Sequence, residues 1–89
     1  MVKRLLIVGA GEAGRMLARE VGSRAREQYV AVGFLDDAAA LAGKSVDGLA
    51  VLGTTGELGR VVAAERVDEV LIAVPSAGRD FVRRMVASC

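Results

Sequence analysis

The sequence has no histidine and no tryptophan, one cysteine, one proline, and only three aromatic residues, Tyr29, Phe34 and Phe81. Without histidine there is no Cys–His catalytic pair and no His-based zinc site. The lone Cys89 has no partner for a disulfide within the chain, which fits a reducing, cytoplasmic setting. Three aromatics are too few for the stacking platforms of single-stranded nucleic-acid binders. A basic stripe is also missing: 12 basic and 11 acidic residues are interspersed and leave a net charge of +1. Pairs such as Arg24/Arg26 and Arg83/Arg84 read as solvated faces, so no nucleic-acid partner is expected. No apolar run reaches membrane length. Met1–Val8 is too short for a signal peptide or a spanning helix, so this segment is expected to make no membrane contact.

What the chain does contain is aliphatic: 53% of its 89 residues are hydrophobic, enough for a packed core. Its length suits one domain, residues 1–89. Arg4–Val8 reads as a strand buried on both faces. Ala13, Met16, Leu17, Ala18 and Val21 then recur at helical spacing, and Gly22-Ser23 closes that helix. Tyr29–Leu35 reads as a second strand, Val51-Leu52 as a very short third and Glu69–Val74 as a fourth stopped by Pro75. Residues 38–50 read as a loop with a helical turn near Ala38–Leu41. A helix carries Leu58, Val61 and Val62 on one face. A last helix is expected from Arg79, with Val82, Met85 and Val86 inward. This alternation predicts an α/β fold: a Rossmann-like half, with a four-stranded parallel sheet in the order 3-2-1-4 and flanking helices. A six-stranded Rossmann domain needs more chain, so the reading favours a piece of a longer protein.

The first strand runs into Gly9-Ala10-Gly11-Glu12-Ala13-Gly14, directly ahead of the first helix. In that context the three glycines have distinct tasks. Gly9 permits the tight turn, Gly11 lets backbone approach a pyrophosphate, and Gly14 lets helix pack on strand. The helix start adds N–H groups and partial positive charge. Glu12 is tolerable there if it points to solvent. Asp36 ends the second strand 22 residues after Gly14, near the spacing at which an acid meets the adenosine ribose. A carboxylate there repels a 2′-phosphate, so NAD is the expected cofactor. The alternative is that Asp36-Asp37 only begins a turn.

A second series, Gly53-x-x-Gly56-x-x-Gly59, follows the third strand rather than the first and reads as a turn, a helix start and a chance residue. Thr54 or Thr55 is the expected cap, at an edge where an adenine rests. Ala73-Val74-Pro75, with Ser76 to Gly78 beyond, falls at the same edge across the switch point; Ser76 is either a cap or a ligand contact. No catalytic set is found. Tyr29 lacks a Tyr-x-x-x-Lys partner because position 33 is glycine, and neither Lys3 nor Lys44 lies in a motif.

LIVGAGEAG at Leu6–Gly14, VGFLDD at Val32–Asp37, GLAVLG at Gly48–Gly53 and VDEVLIAVPS at Val67–Ser76 together resemble the N-terminal Rossmann-like domain of CapD-like nucleotide-sugar 4,6-dehydratases and epimerases of bacterial polysaccharide biosynthesis. The four segments agree in order and span nearly the whole chain. The resemblance carries over Gly9, Gly11, Gly14 and Asp36 as nucleotide contacts. It implies a longer parent enzyme anchored in some cases to the inner membrane, with its catalytic Tyr and Lys in a later domain. Related domains precede some membrane sugar-phosphate transferases and open some sugar acyltransferases. Two other readings stay open. One is a sensor of NADH, CoA or S-adenosylmethionine; the other is an oligomerisation module built on the Val82/Met85/Val86 face. Beyond a dinucleotide, the expected partner is a second copy or the remainder of a larger chain.

Overall fold

A computed structural model describes residues 1–76 and 79–86, with side chains through Ala73. A six-stranded sheet carries helices on both faces. Its strands are β1 (Lys3–Val8), β2 (Tyr29–Leu35), β3 (Ser45–Val46), β4 (Leu49–Gly53), β5 (Glu69–Ser76) and β6 (Arg79–Val86). The helices are α1 (Glu12–Ser23) and α2 (Leu58–Ala64), with short 3-10 turns at Ala39–Leu41 and Thr55–Glu57. The sheet order is β3-β4-β2-β1-β5-β6. Its inner four strands are parallel and stand in the expected order, the first expected strand being β1, the second β2, the third β4 and the fourth β5.

The core follows from alternation along strands covered on both faces. Leu5 and Ile7 of β1 join Val21 of α1, Phe34 and Val51 on one face. Leu6 joins Leu35, Val61 of α2, Val67 and Val70 on the other. Leu5, Leu6 and Ile7 are each at most 1% exposed, as a central parallel strand requires. Met16, expected inward, is 55% exposed; Leu17 and Ala18 carry the contact instead.

Three expectations are corrected. The segment from Arg79 is not a helix but β6, antiparallel to β5 and paired from Glu69↔Val86 to Ser76↔Arg79. The side of β5 away from β1 otherwise presents unpaired N–H and C=O groups, and an antiparallel strand satisfies them over eight residue pairs. The proposed helical face of Val82, Met85 and Val86 therefore does not exist, and Ser76 ends a strand instead of capping a helix. Residues 38–50 are more than a loop, because β3 and β4 pair antiparallel through Val46↔Leu49 and lengthen the third expected strand to Leu49–Gly53. Pro75 does not stop β5. β1 pairs with β5 only as far as Ile72, so Pro75 lies where the strand has a partner on one side alone, a position that tolerates its missing N–H. Ala77 and Gly78, the rest of the expected loop after the fourth strand, lie outside the described residues.

Candidate functional site

β1 delivers Gly9 to the carboxyl edge of the parallel strands, where α/β sheets bind ligands. Gly9 has φ +105°, a conformation that L side chains rarely adopt, and a Cβ there would collide with the Ala73 carbonyl of β5. A Cβ on Gly14 would collide with the Gly9 carbonyl, so this glycine lets α1 rest on the end of β1. Gly11 differs: a Cβ there meets nothing within 4 Å, and the space above it is open. Gly11 is also the N-cap of α1, and no side chain caps that helix. Its first N–H groups, at Glu12 and Ala13, thus have no side-chain acceptor. Glu12 is exposed and Ala13 buried.

Asp36, half-buried at the end of β2, closes the turn from the other side. Its Oδ2 accepts the Ala10 N–H at 2.8 Å and its Oδ1 accepts the Ala38 N–H at 2.8 Å. Gly9 N–H donates to the Leu35 carbonyl at 2.7 Å, so β1 and β2 stay tied beyond their ladder. A carboxylate offers about four acceptor positions. Two are filled by backbone, and two remain for hydroxyl donors.

Asp37 does separate work. Its Oδ1 accepts the Thr55 N–H at 2.8 Å, and the Thr55 hydroxyl donates to the same carboxylate at 2.9–3.0 Å. The turn after β2 is thereby clamped to the turn after β4. Thr54 opens a capping box: its N–H donates to Glu57 Oε1 at 3.0 Å and its side chain meets the Glu57 N–H, which also donates to the Thr54 carbonyl at 3.0 Å as the turn bond. The Thr54 N–H and the Arg60 guanidinium, 2.6 Å from Glu57 Oε2, hold the Glu57 carboxyl below its ordinary range. In the Gly53–Gly59 series the N–H groups of Thr54, Thr55 and Glu57 are thus already used.

Asp36, Asp37, Thr54 and Glu57 line one cavity of about 250 Å³ with Ala38, Ala42, Leu52 and Gly53. That is below the ~300–1,000 Å³ of pockets that hold a whole ligand, and suits one end of a longer one. Asp36, Asp37 and Thr54 thus come together on one side of the glycine turn and Ala73 on the other. The backbone of Val74 and Pro75 continues β5 from Ala73; their side chains lie outside the described residues.

A buried carboxylate that the sequence reading passed over is Glu69, 2% exposed, with the Tyr29 hydroxyl 3.4 Å from its Oε1. Both stand at the amino ends of their strands, the opposite edge from the glycine turn. Among the described residues, no group of His, Cys, Asp and Glu is placed to hold a metal, and no helix is long and apolar enough to cross a membrane.

A parallel sheet of order 3-2-1-4, a glycine turn into an uncapped helix and an acid at the end of β2 define a Rossmann-like nucleotide-binding fold. Comparison with known proteins agrees. The family described as "CoA-binding domain" matches residues 2–89, and the chain belongs to it. It is 30% identical over 86 residues, 97% of its length, to the "Probable polysaccharide biosynthesis protein EpsC" of Bacillus subtilis (strain 168). It superposes on UDP-D-quinovosamine 4-dehydrogenase from Vibrio fischeri with TM-score 0.73 and 31% identity over 86% of the chain. The chain spans 14% of the first relative and 61% of the second. The resemblance to the N-terminal Rossmann-like region of polysaccharide-biosynthesis proteins therefore holds.

Proposed function

We propose that this chain is the NAD(H)-binding N-terminal domain of a polysaccharide-biosynthesis protein of the nucleotide-sugar dehydratase or epimerase type. Gly11 and the N–H groups of Glu12 and Ala13 receive the pyrophosphate. The free acceptor positions of Asp36 receive the adenosine ribose hydroxyls. The cavity beside Thr54 takes the adenine, and the Ala73–Pro75 edge of β5 flanks the rest of the dinucleotide. The carrying observation is the direct bond between the glycine turn and the acid of β2, with open space over Gly11.

NAD brings hydride chemistry when bound. The residues named here bind and orient it, and none of them is placed to move a substrate proton. The domain's part is thus binding, and proton transfer belongs to residues elsewhere in a longer protein. Titration calorimetry of the chain with NAD and NADH, beside an Asp36→Ala variant, tests the reading. Saturable binding that weakens at least tenfold in the variant supports it. Equal affinity in the variant removes Asp36 from the site.

A further inference from the structure

Among the described residues, the cavity beside Asp36 is lined by three carboxylates, Asp36, Asp37 and Glu57, and by no lysine or arginine. Each is fixed in place. Asp36 is held by the Ala10 and Ala38 N–H groups, Asp37 by Thr55, and Glu57 by Thr54 and Arg60. The nearby guanidinium of Arg60 turns its Nη2 to Glu57 Oε2 at 2.6 Å and the Leu52 carbonyl at 3.4 Å, so its charge is directed at Glu57. A phosphate on the ribose would enter beside these fixed negative charges, and among the described residues no lysine or arginine lines the cavity to meet it. Neither Asp36 nor Asp37 can swing aside without abandoning backbone N–H groups.

We infer that the ribose end of this site accepts only nucleotides with free 2′ and 3′ hydroxyls, and that Asp37 and Glu57 act beside Asp36 as specificity determinants that turn away ribose-phosphorylated nucleotides. Coenzyme A carries a 3′-phosphate and NADP a 2′-phosphate, so both are excluded. NAD and 3′-dephospho-coenzyme A are admitted. The inference rests on the nucleotide-binding reading above and goes beyond the NAD preference expected from Asp36 alone. It separates this chain from the ligand in its family's description.

Two matched pairs test it, each differing by one phosphate. The full chain is titrated with 3′-dephospho-coenzyme A against coenzyme A, and with NAD against NADP. At least tenfold tighter binding of the unphosphorylated member in both pairs is expected. Coenzyme A bound as tightly as its dephospho form overturns the inference and leaves nucleotide binding intact. Failure of all four to bind overturns the nucleotide-binding reading and the inference with it. With Asp36 intact, Asp37→Asn and Glu57→Gln are each expected to narrow the ratio within a pair by several-fold. Each amide keeps one acceptor oxygen, for the Thr55 N–H in Asp37→Asn and for the Thr54 N–H in Glu57→Gln, so both variants are expected to fold. A ratio unchanged in both variants, with thermal melts showing that both fold, overturns the role of Asp37 and Glu57. Loss of packing alone lowers both members of a pair together and leaves the ratio fixed.

Discussion

The backbone N–H of Ala10 donates to Oδ2 of Asp36 across 2.8 Å, joining residues 26 apart in sequence. The bond unites the two halves of the candidate site. It also makes Asp36 a structural residue, since its other oxygen holds the Ala38 N–H. On the proposed reading, binding and stability are therefore coupled at one side chain.

That coupling sets the first prediction. Asp36→Ala leaves two N–H groups without their acceptor and is expected to destabilise the domain by about 1–3 kcal/mol, the lower end applying because the residue is only half-buried. Asp36→Asn keeps one acceptor oxygen and is expected to cost less. Urea unfolding of both variants without nucleotide checks this. Equal stability of Asp36→Ala and the native chain would show that the Ala10 and Ala38 bonds contribute nothing.

The second prediction concerns acid. Glu57 is held below the ordinary carboxylate range, chiefly by the Thr54 N–H and then by Arg60. A carboxyl whose folded pKa is depressed contributes stability above its unfolded pKa, and that contribution disappears as pH falls through the folded pKa. The stability difference between the native chain and Glu57→Gln is therefore expected to be constant near neutrality and to shrink toward zero on acidification below the ordinary carboxylate range. Urea midpoints of the two proteins across that interval test the sign. A gap that widens on acidification contradicts it.

Much of this was legible in the sequence. The run at Leu5–Ile7 and the glycines at 9, 11 and 14 were enough to place β1, the turn and α1, because a strand buried on both faces leaves a continuous apolar signal. Three features were not legible there. Asp47-Gly48 between Val46 and Leu49 is a strong hairpin signal, and both residues adopt positive φ, +52° and +82°, as a type I′ turn requires. It was masked by the glycines and alanines around it. In β6 the apolar residues at 81, 82, 85 and 86 fit a helical wheel, and period alone does not separate a helix from a strand in so short a segment. The need of β5 for a second neighbour decided it, and that need is tertiary. The locking of Asp37 to Thr55 was equally hidden, since no local pattern announces a contact between the ends of two strands.

That clamp carries the third prediction. The Thr55 hydroxyl and N–H both donate to Asp37, so Asp37→Ala and Thr55→Val should not be additive. A double-mutant cycle in urea is expected to give a coupling of about 0.5–1.5 kcal/mol, at the modest end because the pair is exposed. Additive effects would mean that the two turns are held by other contacts.

The glycines give the fourth prediction, because one motif contains two opposite demands. Gly14→Ala places a methyl group against the Gly9 carbonyl. Backbone on both sides prevents an easy escape, so α1 must lift from β1, at a cost of about 1–3 kcal/mol or more. Gly11→Ala places the same methyl in open space. Its cost to stability is that of a poorer N-cap, about 1 kcal/mol or less, yet on the proposed reading the methyl occupies the approach to the pyrophosphate. Thermal unfolding and NAD titration of both variants should therefore diverge. Gly14→Ala is expected to melt well below the native chain, while Gly11→Ala melts near it and binds NAD at least tenfold more weakly. If Gly11→Ala binds NAD as the native chain does, the pyrophosphate does not lie over this turn.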